Sequence, residues 1–236
     1  MREEYGQTKT LPHHLAGRSR LPNLTPNQQK IARCNFAIEV ANDVSHNGAE
    51  LVSQWNGANG YAQTLINAGN SDSEFATVHE AINRISDALF YIDSITKDNK
   101  LAKPLGLFAN SCGAQACPDD VESPYSQNSL ANIENNLAAL QKLFSGDVSG
   151  NTHIGFDDYL TDVGDSDTAT KMAADIITAI AASKNYQQSL TQALANDADR
   201  VEQTHADIKN VTDQLKTDFI KSLALELPKT SAGDND

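Results

Sequence analysis

The spacing of apolar residues along the chain predicts long amphipathic helices. The most regular pattern repeats every three or four residues over positions 75 to 92, at Phe75, Val78, Ile82, Ile85, Leu89 and Ile92. Ser71 and Glu74 stand just before it with the spacing of a capping box, which predicts that the helix begins there. No useful length of the chain alternates apolar and polar residues as a strand does. The sequence therefore predicts an all-α protein, an antiparallel helical bundle.

The same periodicity and the local end signals predict further helices. One begins after Thr25, because Pro26 suits a first helical turn and Gln28 can complete a capping box. It continues to about Trp55. Others are predicted over roughly 130–144, 156–163, 167–185 and 197–225, with a further turn or two near Leu190.

A proline-rich stretch separates the helices into two groups. Pro104, Pro118 and Pro124 interrupt roughly residues 99–127, where no period is sustained. We expect a long ordered loop here, and long loops in compact domains are often functional. The predicted organisation is an N-terminal segment, 1–24, and a helical domain, 25–236, whose blocks of about 25–98 and 128–225 are joined by this loop.

The net charge of the chain excludes some classes of binding partner and favours others. The 236 residues carry a net charge of -13, and most of the Asp and Glu residues lie in the C-terminal half. Such a chain is repelled by nucleic acid and by anionic lipid, whereas a metal ion, a small cationic ligand or a basic partner is favoured. Solubility alone also accounts for an acidic surface. No apolar run is long enough for a transmembrane segment.

The N-terminus and the cysteines give conflicting signals about the compartment. The first 20 residues contain acidic side chains and no apolar core, so they predict no signal peptide. Cys112 and Cys117 lie close enough in one loop to form a local disulfide, typical of an oxidising compartment, or else remain free thiols. Cys34 is left over, and three thiols without a histidine partner do not indicate a zinc site.

Two acidic or histidine-bearing segments are candidates for metal binding. His79 begins an H-E-x-x-H pattern, but Asn83 replaces the second histidine ligand. Five aspartates crowd residues 155–168, and among them Asp157 and Asp158 could hold a hard cation through carboxylate oxygens. Capping of helix N-termini is the alternative role of these aspartates.

Four short motifs recur in one order along the second half of the chain. Residues 122–130 are Glu-Ser-Pro-Tyr-Ser-Gln-Asn-Ser-Leu, followed by Asn-Leu at 136–137, Phe-Ser-Gly at 144–146 and Gly-Phe-Asp-Asp-Tyr-Leu at 155–160. In these motifs the chain resembles the imelysin-like family, named for an insulin-cleaving peptidase and for iron-regulated protein A. The Arg33-Cys34 pair is similar to the predicted-lipoprotein branch of that family.

This resemblance implies an all-helical, two-lobed fold with a cleft between its bundles, in a protein of the periplasm or cell envelope linked to iron supply. The family's metal-binding G-x-H-x-x-E motif precedes the Arg33 helix. Here His13 and His14 occupy that place, followed at the glutamate position by Ala16 and Gly17. We therefore expect the chain to correspond to the C-terminal two-thirds of a longer protein.

The leading hypothesis is a non-enzymatic envelope protein that binds an iron-related or other cationic ligand, such as a divalent cation, in the interlobe cleft. The resemblance places Glu122, Ser123, Ser126 and Ser129 in that cleft, with no catalytic residues. Alternatively, Ser126 or Ser129 caps the next helix and Glu122 pairs with a neighbouring cation. The competing functions are a metal-dependent peptidase and a truncated bundle without activity.

Overall fold

Helices make up the regular structure of the protein in a computed structural model that describes residues 24–146, 153–229 and 231. No strand occurs within those ranges, where β pairing is limited to an isolated bridge between Asn110 and Gly113. The predicted all-α class is therefore confirmed. The chain divides into two compact units, the first ending at Glu74 and the second beginning at Phe75.

The first unit contains a long helix and a short one. Helix α1 (Pro26–Asn56) begins as the sequence predicts, because the Thr25 side chain accepts from the Gln28 amide and the Gln28 side chain accepts from the Thr25 amide. Helix α2 (Tyr61–Ile66) follows, and the rings of Trp55 and Tyr61 lie 5.6 Å apart. None of the helices in the described ranges combines the length and apolar character needed to span a bilayer.

In the described residues, the second unit contains four helical rods. The first rod comprises α3 (Val78–Ser86), a 3₁₀ turn (Asp87–Phe90), a first π-helical segment (Ile92–Ala102) and α4 (Lys103–Leu105). The second and third rods are α5 (Ser129–Ser145) and α7 (Ser166–Lys184), with α6 (Phe156–Asp162) between them. After α8 (Leu190–Asn196), the fourth rod comprises α9 (Ala198–Gln214), a second π-helical segment (Leu215–Phe219) and α10 (Ile220–Ser222).

The rods enclose one apolar core. Helix α7 packs against α5 and α9, and the first π-helical segment packs against α5 and α9 from the other side. Each rod therefore contributes fully buried side chains to the core, among them Leu101, Leu137, Ile176 and Ile208. The apolar periodicity of α5, α7 and α9 predicted these faces.

The start of the first rod differs from the sequence prediction. The helix begins at Val78 rather than near Ser71, because Thr77 is the residue that caps it. The Thr77 hydroxyl accepts from the Glu80 amide at 3.1 Å, and the Glu80 carboxylate accepts from the Ala76 amide at 2.7 Å. Glu80 therefore completes the N-terminal hydrogen bonding expected of Glu74, and the prediction at Ser71 is wrong.

The predicted loop is also shorter than expected at its start. Helical structure continues through Pro104 to Leu105, and the loop begins at Gly106. In an α-helix, a proline ring clashes with the carbonyl four residues earlier. Here Pro104 lies in the first turn of α4, directly after the π-helical segment, and a first turn tolerates proline because its N–H has no helical partner.

A fall in pH should weaken the contact between Asp165, the N-cap of α7, and Ser222 in α10. The Asp165 carboxylate accepts from the Ser222 hydroxyl and the Thr168 amide, and these hydrogen bonds lower the pKa of Asp165. A lowered folded-state pKa stabilises the protein above the ordinary aspartate pKa of about 3.9, and this stabilisation is lost as the pH falls through the folded-state value.

We therefore expect the free energy of unfolding of Asp165→Asn, measured by urea denaturation, to lie below that of the wild type near neutral pH and to converge with it below about pH 4. Asp167→Asn, in the exposed first turn of the same helix, serves as the control. A constant difference between Asp165→Asn and the wild type from pH 7 to pH 3 would contradict this account.

Candidate functional site

A disulfide-closed loop leads to the predicted site residue Glu122. The sulfurs of Cys112 and Cys117 are bonded, and Cys117 is buried while Cys112 is exposed. The Cys117 amide donates to the Pro104 carbonyl at 2.7 Å, which attaches the loop to the end of the first rod. The backbone just before Glu122 is thereby fixed in place.

A second set of hydrogen bonds holds the same loop. The Ser111 hydroxyl and amide donate to the two carboxylate oxygens of Asp120, at 2.6 and 2.9 Å. Hydrogen bonding, first from the Ser111 side chain and then from its backbone, lowers the pKa of Asp120. The loop therefore contributes a charged anchor two residues before Glu122.

Glu122 has two side-chain partners from different rods. Its Oε1 lies 3.1 Å from Lys100 Nζ, and its Oε2 accepts from Asn132 Nδ2 at 3.0 Å. The Lys100 side chain is only 8% exposed, whereas that of Glu122 is 38% exposed. Glu122 thus pairs with a neighbouring cation, as one interpretation of the sequence expected, while part of its carboxylate still faces solvent.

Three kinds of group surround the Lys100 ammonium. Besides the Glu122 carboxylate, the Asn136 amide oxygen accepts from Lys100 Nζ at 2.9 Å in the amide orientation that pairs every donor with an acceptor. In that orientation Asn136 also accepts from the Thr96 hydroxyl at 3.1 Å. The ring of Tyr91 lies beside the ammonium, with 5.9 Å between Nζ and the ring centroid.

Behind this pair lies a buried cluster of ion pairs that the sequence analysis missed. Asp93 and Lys97 are both fully buried. Asp93 Oδ1 lies 3.1 Å from Lys216 Nζ and 3.5 Å from Lys97 Nζ, and Lys97 also pairs with Asp98 at 2.7 Å. The cluster joins the two π-helical segments, which is notable because π-helical turns occur frequently at functional sites.

A signal for this cluster was present in the sequence. The apolar stripe of the first rod runs through Leu89, and the next residues on that face are Asp93, Thr96 and Lys100. Polar residues that continue an apolar stripe indicate a buried polar network. Their partner Lys216 could not be found from the stripe, because it lies on the fourth rod.

The predicted serines have different environments. Ser129 is buried, and its hydroxyl accepts from the Ser123 amide at 3.0 Å. Ser126 is exposed. The N-cap of α5 is Asn128, so the interpretation of Ser126 or Ser129 as the cap of this helix is wrong. Ser129 instead fixes the turn that follows Glu122, and a ligand-binding role for Ser123, Ser126 and Ser129 stays a prediction.

Asp157 and Asp158 lie in the first turn of α6. Asp158 Oδ2 accepts from the Gly155 amide at 3.0 Å, and Asp157 Oδ1 accepts from the Asp158 amide at 2.9 Å. Burial is the main cause that raises the pKa of Asp157. These contacts are typical of residues that satisfy the amides at a helix N-terminus, and cation binding by this pair stays a prediction.

The described residues do not form a transition-metal site with several side-chain ligands. Within residues 24–146, 153–229 and 231, no three His, Cys, Asp or Glu side chains come together to hold one. Iron and other transition metals are held in proteins by several such side chains. His13 and His14 lie outside the described residues.

Two grooves are formed by other residues of the second unit. One, of about 470 Å³, lies along α7 and α9 and includes Arg200 and Asp207. The other, of about 500 Å³, is lined mainly by apolar side chains of α3, α5 and α6, such as Ile82 and Leu143. Neither groove includes Glu122.

The comparison with known families decides the assignment. The imelysin model matches residues 6–217, which include most of both units and Glu122. The chain belongs to the imelysin family. The resemblance found in the four short motifs is thereby confirmed, and the described helices are those of an all-α imelysin bundle. No curated protein and no solved structure matches the chain.

Proposed function

We propose that this imelysin is a binding protein of the cell envelope that holds a cationic ligand at Glu122 and catalyses no reaction. One observation carries the proposal. Glu122 is a partly exposed carboxylate whose two oxygens are already oriented by Lys100 and Asn132. An oriented carboxylate loses little side-chain entropy when a ligand binds, because its rotamer is fixed beforehand.

The surroundings of Glu122 support a cationic ligand. A carboxylate offers about four lone-pair positions, and Lys100 and Asn132 use two of them. The Glu122 side chain is 38% exposed, and the net charge of -13 attracts cations and raises their local concentration. A cation at Glu122 thus has both a local acceptor and a favourable long-range potential.

Peptidase chemistry has no support in the described residues. Metal-assisted hydrolysis needs several ligands around one ion, and no such group of side chains occurs in those ranges. We therefore expect the purified chain to leave a test polypeptide such as insulin intact. Cleavage that a chelator abolishes would contradict the non-enzymatic proposal.

Neutralising Glu122 should weaken cation binding by a factor of roughly ten or more, because a charge-assisted contact contributes about 1.5–3 kcal/mol. The measurement is titration calorimetry of the wild type and Glu122→Gln with methylammonium, n-propylammonium, Ca²⁺, Mn²⁺ and Fe²⁺. Glutamine keeps the size of the side chain and an acceptor oxygen, so the variant isolates the charge.

Glu134→Gln is the matched control. Glu134 also pairs with a lysine, Lys184, and its side chain is 39% exposed, almost the same fraction as that of Glu122. We expect this control to bind as the wild type does. Equal weakening in both variants, or no binding of any tested cation by the wild type, would contradict the proposal.

A further inference from the structure

We propose that the ligand of the Glu122 site is a primary ammonium group, and that Lys100 is a tethered occupant of the site with which the ligand competes. The inference rests on the proposed function, since it names the chemical class of the cation. It follows from what surrounds Lys100 Nζ.

The side chains around Lys100 Nζ form an ammonium cage, defined here as Glu122, Asn136 and Tyr91. A carboxylate oxygen lies at 3.1 Å, an amide oxygen at 2.9 Å, and the aromatic ring centroid at 5.9 Å. A primary ammonium has three N–H donors, and two of them meet these oxygens while the aromatic face stabilises the charge.

The cage suits an organic ammonium better than a metal ion. Ca²⁺ takes six to eight oxygen ligands, and Mg²⁺ retains several waters in an octahedral shell. The ammonium cage instead offers one carboxylate, one amide oxygen and an aromatic face. Aromatic faces are used to recognise organic ammonium groups, because the negative face of the ring attracts a weakly hydrated cation.

The exposure of the cage provides an entry path. Tyr91 is 48% exposed and the Glu122 side chain 38%, whereas the Lys100 side chain that lies between them is only 8% exposed. Glu122 and Tyr91 of the ammonium cage are thus partly exposed to solvent, whereas the Lys100 side chain between them is buried. An external ammonium reaches Glu122 and Tyr91 first and then replaces Lys100 Nζ.

Tethering makes Lys100 a strong competitor. A group attached by a short flexible linker acts at an effective concentration in the millimolar range. Removing the Lys100 side chain should therefore leave the ammonium cage empty and increase its affinity for an external ammonium. Lys100→Ala lacks Cγ, Cδ, Cε and Nζ, and the four heavy atoms of n-propylammonium correspond to those that are missing.

The experiment measures the melting temperature of Lys100→Ala during titration with n-propylammonium chloride. We expect a saturable increase that recovers at least half of the loss caused by the substitution. Equal concentrations of 1-propanol, which has the same size without the charge, and of sodium chloride should not produce it. Adding Tyr91→Leu to Lys100→Ala should weaken the recovery about two- to fivefold in apparent dissociation constant.

Lys184→Ala is the matched control, because it removes a lysine from the exposed pair with Glu134. It should not respond to n-propylammonium beyond the wild type. If Lys100→Ala does not fold alone, the readout is the yield of folded protein after refolding with n-propylammonium or with 1-propanol. Recovery no better with n-propylammonium than with 1-propanol, or equal recovery of Lys184→Ala, would overturn the inference.

The outcomes separate this inference from the proposed function. If Lys100→Ala is not recovered but the wild type binds a divalent cation that Glu122→Gln does not, the ligand class is wrong and the Glu122 site stands. If n-propylammonium recovers Lys100→Ala but not Lys100→Ala with Glu122→Gln, and the wild type binds n-propylammonium while Glu122→Gln does not, the class is correct. Recovery of Lys100→Ala without n-propylammonium binding by the wild type would overturn the inference.

Discussion

Asp93→Asn should lower the free energy of unfolding by about 3–5 kcal/mol, the usual cost of removing one partner from a buried ion pair. Asp93 is fully buried, and its carboxylate lies near the ammonium groups of Lys97 and Lys216. Asparagine has the same shape but no charge, so the loss reflects the carboxylate that Lys97 and Lys216 share, while Lys97 keeps its pair with Asp98. Urea denaturation followed by circular dichroism measures it.

Asp213→Asn is the control for this prediction. Asp213 pairs with Lys209 at 2.9 Å, but its side chain is half exposed. An exposed ion pair contributes about 0–1 kcal/mol, so this variant should melt almost as the wild type does. A loss in Asp93→Asn that does not exceed the loss in Asp213→Asn would show that the cluster contributes no more than a surface pair.

A second substitution distinguishes charge imbalance from lost packing. Lys216→Met in the Asp93→Asn background removes the ammonium group that lies 3.1 Å from Asp93 while keeping an unbranched side chain. We expect it to recover part of the stability, because the two changes act on one contact and are not additive. Simple addition of two losses would indicate that both side chains stabilise the rods by packing alone.

Gly106→Ala should destabilise the protein by about 1–3 kcal/mol more than Gly113→Ala. Both glycines have a left-handed backbone, with φ of +87° and +93°, so each alanine pays a similar strain of about 1–2 kcal/mol. Only at Gly106 would the new Cβ lie 2.6 Å from the backbone of Gln115. The difference between the variants therefore isolates this close approach.

The backbone at Gln115 has little freedom to move away. Its carbonyl accepts from Asn110 Nδ2 at 2.8 Å, and the same amide group donates to the Lys103 carbonyl. We therefore also expect faster hydrogen exchange at residues 110–117 in Gly106→Ala than in Gly113→Ala. Equal stability losses and equal exchange in the two variants would contradict the role assigned to the close approach.

The sequence by itself determined the helices whose signals are local. Thr25 and Gln28 predicted the start of α1, and the apolar periodicity predicted the extent of α5. These predictions succeed because a cap and a helical face depend on residues three or four positions apart. The family resemblance also came from the sequence, since it rests on short motifs in order.

The tertiary structure decided which local signals are used. Ser71 with Glu74 and Thr77 with Glu80 both have the residue spacing of a capping box. In the folded protein it is Thr77 that caps the first rod. The π-helical segment that leads into α4 and Pro104 is likewise not encoded by any short motif. Several local conformations have similar free energies, so long-range contacts determine which of them the protein adopts.

The candidate site shows the same division. The resemblance singled out Glu122, and the alternative interpretation of this residue paired it with a neighbouring cation. The identity of that cation and its burial depend on the packing of the first rod against α5 around Lys100. Likewise, Lys216 comes to Asp93 only when the fourth rod packs against the first. A buried charge needs a partner from elsewhere in the fold, and that partner is fixed by packing rather than by spacing along the chain.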